Sequence, residues 1–121
     1  MAQKFKIPTD IESDAKEYMK TVLAKLEENG ILENVDSAAL TMLARNYSTF
    51  IRASKQLEKD GITYMSDRNN IQPHPAIKIA NDAQSKAMKV MEEFGLTAKS
   101  RKKLKIEKDE DSPFETFSNE E

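Results

Sequence analysis

The one imidazole in the chain, His74, stands between Pro73 and Pro75 in the stretch QPHPAIKIANDA. An imidazole can serve as a general base, a partner to a nucleophile or a metal ligand, but each role needs companions within reach. The sequence offers no second histidine, no cysteine and no nucleophile elbow. Pro75 suits a first helical position, where a helix has an unpaired N–H to spare, and Pro73 holds the approach extended. His74 therefore reads as a capping or loop residue at a joint. Paired acids such as Glu27 and Glu28, or Glu92 and Glu93, read as solvated helix faces. No Walker A loop, glycine-rich phosphate cradle or metal-ligand cluster is present. No catalytic residue, metal site or cofactor is expected, and no small-molecule substrate.

The basic residues offer different chemistry. Lys99, Arg101, Lys102, Lys103 and Lys105 place five cations within seven residues. That density can neutralise several phosphates of a nucleic acid. It is equally compatible with a solvated helix end, whose last turn favours cations through the helix dipole. Lys16 and Lys20 form a second candidate pair at i, i+4, with Lys4 and Lys6 ahead of them. Interleaved acids there favour an ordinary solvated face. No helix is rich in Arg, Asn and Gln, so base-specific contacts are not assigned. Phe114 and Phe117 stand among acids in DSPFETFSNEE. Spaced aromatics in an acidic segment suit a docking peptide that folds on a partner, or else a solubilising tail.

The chain that must position these groups has 121 residues and a net charge of −2. That charge hides an asymmetry. Residues 107–121 carry seven acids and one base, net −6, which leaves residues 1–106 at +4. A basic body with an acidic tail keeps nucleic acid in view despite the acidic pI. The lack of cysteine excludes a disulfide scaffold and a thiolate metal site. The start MAQKFKIPTD lacks the apolar stretch of a secretion signal, and no run reaches membrane-spanning length. A cytoplasmic protein is expected.

Apolar spacing predicts an all-α fold. A loose N-terminus over 1–9 precedes a helical domain over 10–106 and a disordered acidic tail over 107–121. The first helix is expected from Asp10 to Asn29, with Asp10 capping it and Gly30 stopping it. The second is expected from Ser37 to Asp60, capped by Asp36 and stopped by Gly61. Its stripe of Leu40, Leu43, Tyr47, Phe50, Ser54 and Leu57 steps at heptad spacing. Ile62–Tyr64 and the turn residues SDRNN suggest a small β-hairpin or a mobile loop. A third helix is expected from Pro75 to Phe94. The two long helices, roughly 30 Å each, should form an antiparallel hairpin with helix one packed across it. Ile79, Met88 and Met91 lie outside the third helix's main stripe, suggesting a second face that a neighbouring subunit covers. A short basic helix capped by Thr97 follows Gly95.

The span PHPAIKIANDAQSKAMKVMEEFGLTAKSRKKL resembles the core of bacteriophage terminase small subunits, a compact family of tailed phages. The resemblance rests on Pro75, Ala76, Lys78, Ile79, Ala80 and Asn81 at a helix start. It continues in Phe94, Gly95, Leu96, Thr97, Ser100, Arg101 and Leu104 at the far end. Upstream, Gly30, Leu32, Asp36, Leu40 and Tyr47 fall in register, so the likeness runs from about Asp10 to Leu104. The family usually has Asn where His74 stands, and often Gly near Asn69 and Asn70. The resemblance implies a non-enzymatic adaptor in the cytoplasm of the infected bacterial host. It implies a homo-oligomeric ring that binds double-stranded viral DNA for packaging and brings it to the large terminase subunit. It also implies control of that subunit's ATPase and nuclease. On that reading the lysines and Arg101 would meet DNA, and Phe114 and Phe117 the large subunit. The alternatives are a small helical DNA-binding regulator and a helical interaction module with no nucleic-acid role.

Overall fold

The computed structural model describes residues 5–30, 32–33 and 36–103. The order is α1 (Ser13–Glu28), α2 (Ser37–Asp60), β1 (Thr63–Met65), β2 (Ile71–Pro73) and α3 (Pro75–Glu93). Residues 98–103 are helical again. The chain divides into two units, Met1–Val90 and Met91–Glu121, so the boundary falls in the last turn of α3.

In the first unit, α1 buries Ala15, Met19, Val22 and Leu26, one stripe at steps of four, three and four. Phe5 and Ile11, ahead of the helix, are buried with them. The segment expected to be loose thus supplies a core residue. Gly30 ends α1 with φ 67°, and its N–H bonds the Glu27 carbonyl. A left-handed residue here costs glycine nothing sterically. Just past this turn Leu32 is buried; Ile31 lies outside the described residues.

Helix α2 is used on more than one side. Ser48, 3% exposed, meets the start of α1, accepting a 2.9 Å bond from the Glu12 N–H. Ala53 packs with Ala76 and Ala80 of α3, flanked by Phe50 and Leu57. Five residues separate Ser48 from Ala53, a rotation of roughly 140° at 3.6 residues per turn. One heptad stripe does not describe such a helix. Tyr47 stays half-buried in an aromatic row, edge-on to Tyr18 at 4.9 Å and stacked near Phe50 at 6.5 Å.

Of the two alternatives left open for this stretch, a β-hairpin or a loop, the β-hairpin forms. β1 and β2 pair antiparallel, with Tyr64 opposite Gln72 and Met65 opposite Ile71. Ser66 accepts from the Asn69 N–H at 2.9 Å, and Asn69 sits at φ 61°. Asparagine is among the few side chains that tolerate this left-handed position, which closes a three-residue hairpin loop. Every residue of both strands is exposed.

The joint before α3 answers the question that His74 raises. Its Nδ1 accepts the Ala76 N–H at 3.0 Å, and its Nε2 lies 3.0 Å from Asp60 Oδ2. Since Nδ1 is an acceptor, Nε2 carries the proton and donates to Asp60. His74 caps α3, with Pro75 as first helical residue, and ties that end to the last residue of α2. Its own N–H reaches back to the Ile62 carbonyl at 2.8 Å, extending the hairpin ladder. Gly61 makes the bend possible. Its φ of 83° and ψ of 168° lie in a region open essentially to glycine alone.

Two expected caps differ. Asp10 does not cap α1; the N-cap is Glu12, without a side-chain bond, and Asp10 pairs with Arg45 instead. Asp36 does stand at the N-cap of α2, as expected, but its carboxylate makes no capping bond and accepts the Glu33 N–H at 3.0 Å instead. In α3 only Ala76, Ala80, Ala83 and Ala87 are buried, while Ile79 is 50% and Met88 40% exposed. These two stand nine residues apart, about half a turn out of phase. They lie on opposite sides of α3 and do not form the single second face that their spacing suggested.

Candidate nucleic-acid interface

The second unit builds its basic helix from a local design. Gly95 turns the chain at φ 70°, and the Leu96 N–H bonds the Met91 carbonyl at 2.8 Å. Thr97 Oγ1 then accepts the Ser100 N–H at 3.1 Å, while Ser100 Oγ accepts the Thr97 N–H at 3.2 Å. This reciprocal pair is a capping box with serine in the fourth place, and it satisfies two amides at the helix start. The Thr97 cap is thus where its sequence position predicts it.

On this helix Lys99, Arg101, Lys102 and Lys103 are all exposed. Lys99, Lys102 and Lys103 stand at i, i+3 and i+4, so they share one face. Among the described residues, no carboxylate makes an ion pair with any of them. Arg101 differs, because its guanidinium donates at 3.0 Å to the Leu96 carbonyl and so braces the turn before the helix. The five-cation cluster therefore resolves into a face of three lysines and one arginine with a structural bond. Lys105, the fifth, lies outside the described residues, as do Lys4, Phe114 and Phe117.

Lys16 and Lys20 belong to α1 in the other unit. Lys20 Nζ lies 3.3 Å from Glu17 Oε1, both side chains well exposed, an arrangement worth little to stability. Among the described residues, no group of three or more histidines, cysteines or acids could hold a metal ion. None of the helices described is long and apolar enough to cross a membrane.

The sequence reading passed over a second set of cations. Arg45, Arg52 and Lys55 on α2 meet Asp10 and Glu12 at the entry to α1. Arg45 lies 3.2 Å from Asp10, while Arg52 and Lys55 reach the two oxygens of Glu12 at 3.4 and 2.8 Å. Arg52 also donates to the Asp10 carbonyl at 3.0 Å. The Arg45 hydrogen bond holds the Asp10 carboxyl below its ordinary value. That of Lys55 does the same for Glu12, and Glu12 in turn raises Lys55. The seven-residue spacing of Arg45 and Arg52 shows that they share a face, but their partners lie more than thirty positions away.

A family model described as phage terminase, small subunit, matches residues 15–111. Searches of curated proteins and of solved structures found no match. The matched span runs from the first turn of α1 through α2, the β-hairpin, α3 and the capped basic helix, and it covers most of the chain. The protein belongs to the phage terminase small subunit family.

Proposed function

We propose that the protein is the adaptor of a viral DNA-packaging motor. It assembles as a homo-oligomeric ring, binds double-stranded viral DNA at the packaging site and recruits the large terminase subunit. It then regulates that subunit's ATPase and nuclease, with no catalytic step of its own. The family match supports the packaging role. The observation that carries the DNA reading is the face of Lys99, Lys102 and Lys103. It sits within the matched span, on a helix with its own capping box, and among the described residues its charge is unanswered. Such a face neutralises phosphates without reading bases. Repeated around a ring, weak contacts of this kind add up.

The ring reading draws support from α3, which buries only alanines and leaves Ile79 and Met88 outside. Exposed apolar side chains such as these offer contacts to neighbouring copies. Phe114 and Phe117 are the residues proposed for large-subunit docking, and Lys16 and Lys20 form a secondary DNA contact.

Native mass spectrometry over a range of concentrations, followed by DNA binding as a function of salt, tests this reading. The expected result is a closed assembly whose affinity for duplex DNA falls steeply with salt. A monomer at every concentration that ignores duplex DNA at low salt would sink it.

A further inference from the structure

We infer that the acidic segment 107–121 of the same chain occupies the lysine face of the 98–103 helix and competes with DNA for it. The inference concerns regulation of the proposed DNA site, and it rests on that reading for its consequence.

Three observations meet here. The first is charge. Lys99, Lys102 and Lys103 share an exposed face, and among the described residues they have no ion-pair partner. By contrast, Lys20, Arg45, Arg52 and Lys55 each have one. Residues 107–121 carry net −6, the complementary sign in the same unit of the chain. The second is reach. Only residues 104–106 separate Lys103 from Glu107, and an extended chain spans about 3.3–3.6 Å per residue. Asp109, Glu110 and Asp111 are then able to return over a face whose lysines span only about 6 Å of helix rise. The third is mass action. A short tether holds its ligand at an effective concentration of order millimolar. Exposed ion pairs are weak singly, yet at that concentration a few of them suffice to occupy the face part of the time. DNA, with one charge per about 1.7 Å of duplex, displaces the tail by outcompeting it. The arrangement favours long polyanions over stray short ones.

Zero-length carbodiimide cross-linking of the full-length protein tests the contact. An equal mixture of light and 15N-labelled chains separates links within a chain from links between chains. The expected products join Lys99, Lys102 or Lys103 to carboxylates of 107–121 of the same chain. They should fade in high salt and in the presence of a short DNA duplex. Links spread evenly over Lys16 and Lys20, links only between chains, or none at all overturn the inference.

A second arm replaces the seven acids by amides in the full-length chain (E107Q, D109N, E110Q, D111N, E115Q, E120Q, E121Q). Affinity for duplex DNA should rise by about 3- to 10-fold at low salt. The gain should vanish when Lys99, Lys102 and Lys103 are also changed to alanine. A gain that survives their removal is a net-charge effect and overturns the inference. Cross-links as expected in a protein that never binds duplex DNA would overturn the DNA reading instead, with the tail contact left standing.

Discussion

Two groups of cations share this chain and behave differently. Arg45, Arg52 and Lys55 point back at Asp10 and Glu12, so their charge is spent within the chain, holding the entry of α1 against α2. Lys99, Lys102 and Lys103 stand on a self-capped helix with no such partner among the described residues. A count of positive residues along the sequence picks out the dense cluster at 99–105 and passes over the three cations spread along α2. What separates them is whether the fold has already supplied an anion. On the proposed function, binding falls to the unanswered group, while the answered one ties the entry of α1 to α2.

The sharpest way to break this comparison is to reverse the lysine face. Changing Lys99, Lys102 and Lys103 to glutamate should weaken duplex binding by about a hundredfold or more at low salt. The salt slope should fall by roughly 2 to 3, near 0.9 per lost phosphate contact. Melting temperature and assembly should hold. A large loss of thermal stability would show these lysines to be structural after all. Next in size is Ser48→Ala. It strands the Glu12 N–H at a part-buried site and should cost about 1 kcal/mol, seen in thermal denaturation, with DNA affinity untouched. Arg101→Lys keeps the charge but loses the planar donor to the Leu96 carbonyl, so affinity should stay within about threefold. A loss as deep as the triple reversal would move Arg101 from brace to DNA contact.

The smallest effect near neutral pH comes from the answered group. Asp10, Glu12 and Asp60 are held below their ordinary values, Asp10 first by Arg45, Glu12 by Lys55 and Asp60 by Gln56 and then His74. Depressed carboxyls contribute stability that is fully present above the unfolded values of 3.8 and 4.5. It is lost as pH falls through the folded values. Acid titration of the melting temperature should therefore show a loss that begins below about pH 5. Glu12→Gln should flatten part of it. An unchanged curve in that variant would mean that the Glu12 pairs do not persist in solution.

Much of the fold was legible because local chemistry marks it. Ser37–Asp60 and the start at Pro75 were readable from Gly61 and from proline at a first helical position. Thr97 was readable as a cap, and SDRNN as a turn. What escaped depends on partners distant in sequence. Asp10 looks like a cap until Arg45, 35 positions on, claims its carboxylate. Asp36 looks like a forward cap, yet its carboxylate turns to Glu33. The heptad on α2 is real spacing, but positions off that stripe pack as well, Ser48 meeting α1 and Ala53 meeting α3. In the candidate site, the cluster was visible and its division into three lysines and a bracing arginine was not. A hydrogen bond from Arg101 to a carbonyl five residues earlier leaves no trace in composition.

The bond from Ala76 to His74 has a practical consequence. The chain holds a single imidazole, so its nitrogen resonances can be followed without overlap from another. While Nδ1 accepts and Nε2 carries the proton, the spectrum should report one neutral tautomer. Any opening at the junction of α2, hairpin and α3 releases that ring to exchange between forms. His74 thus serves as a built-in spectroscopic probe, able to report whether the junction stays closed.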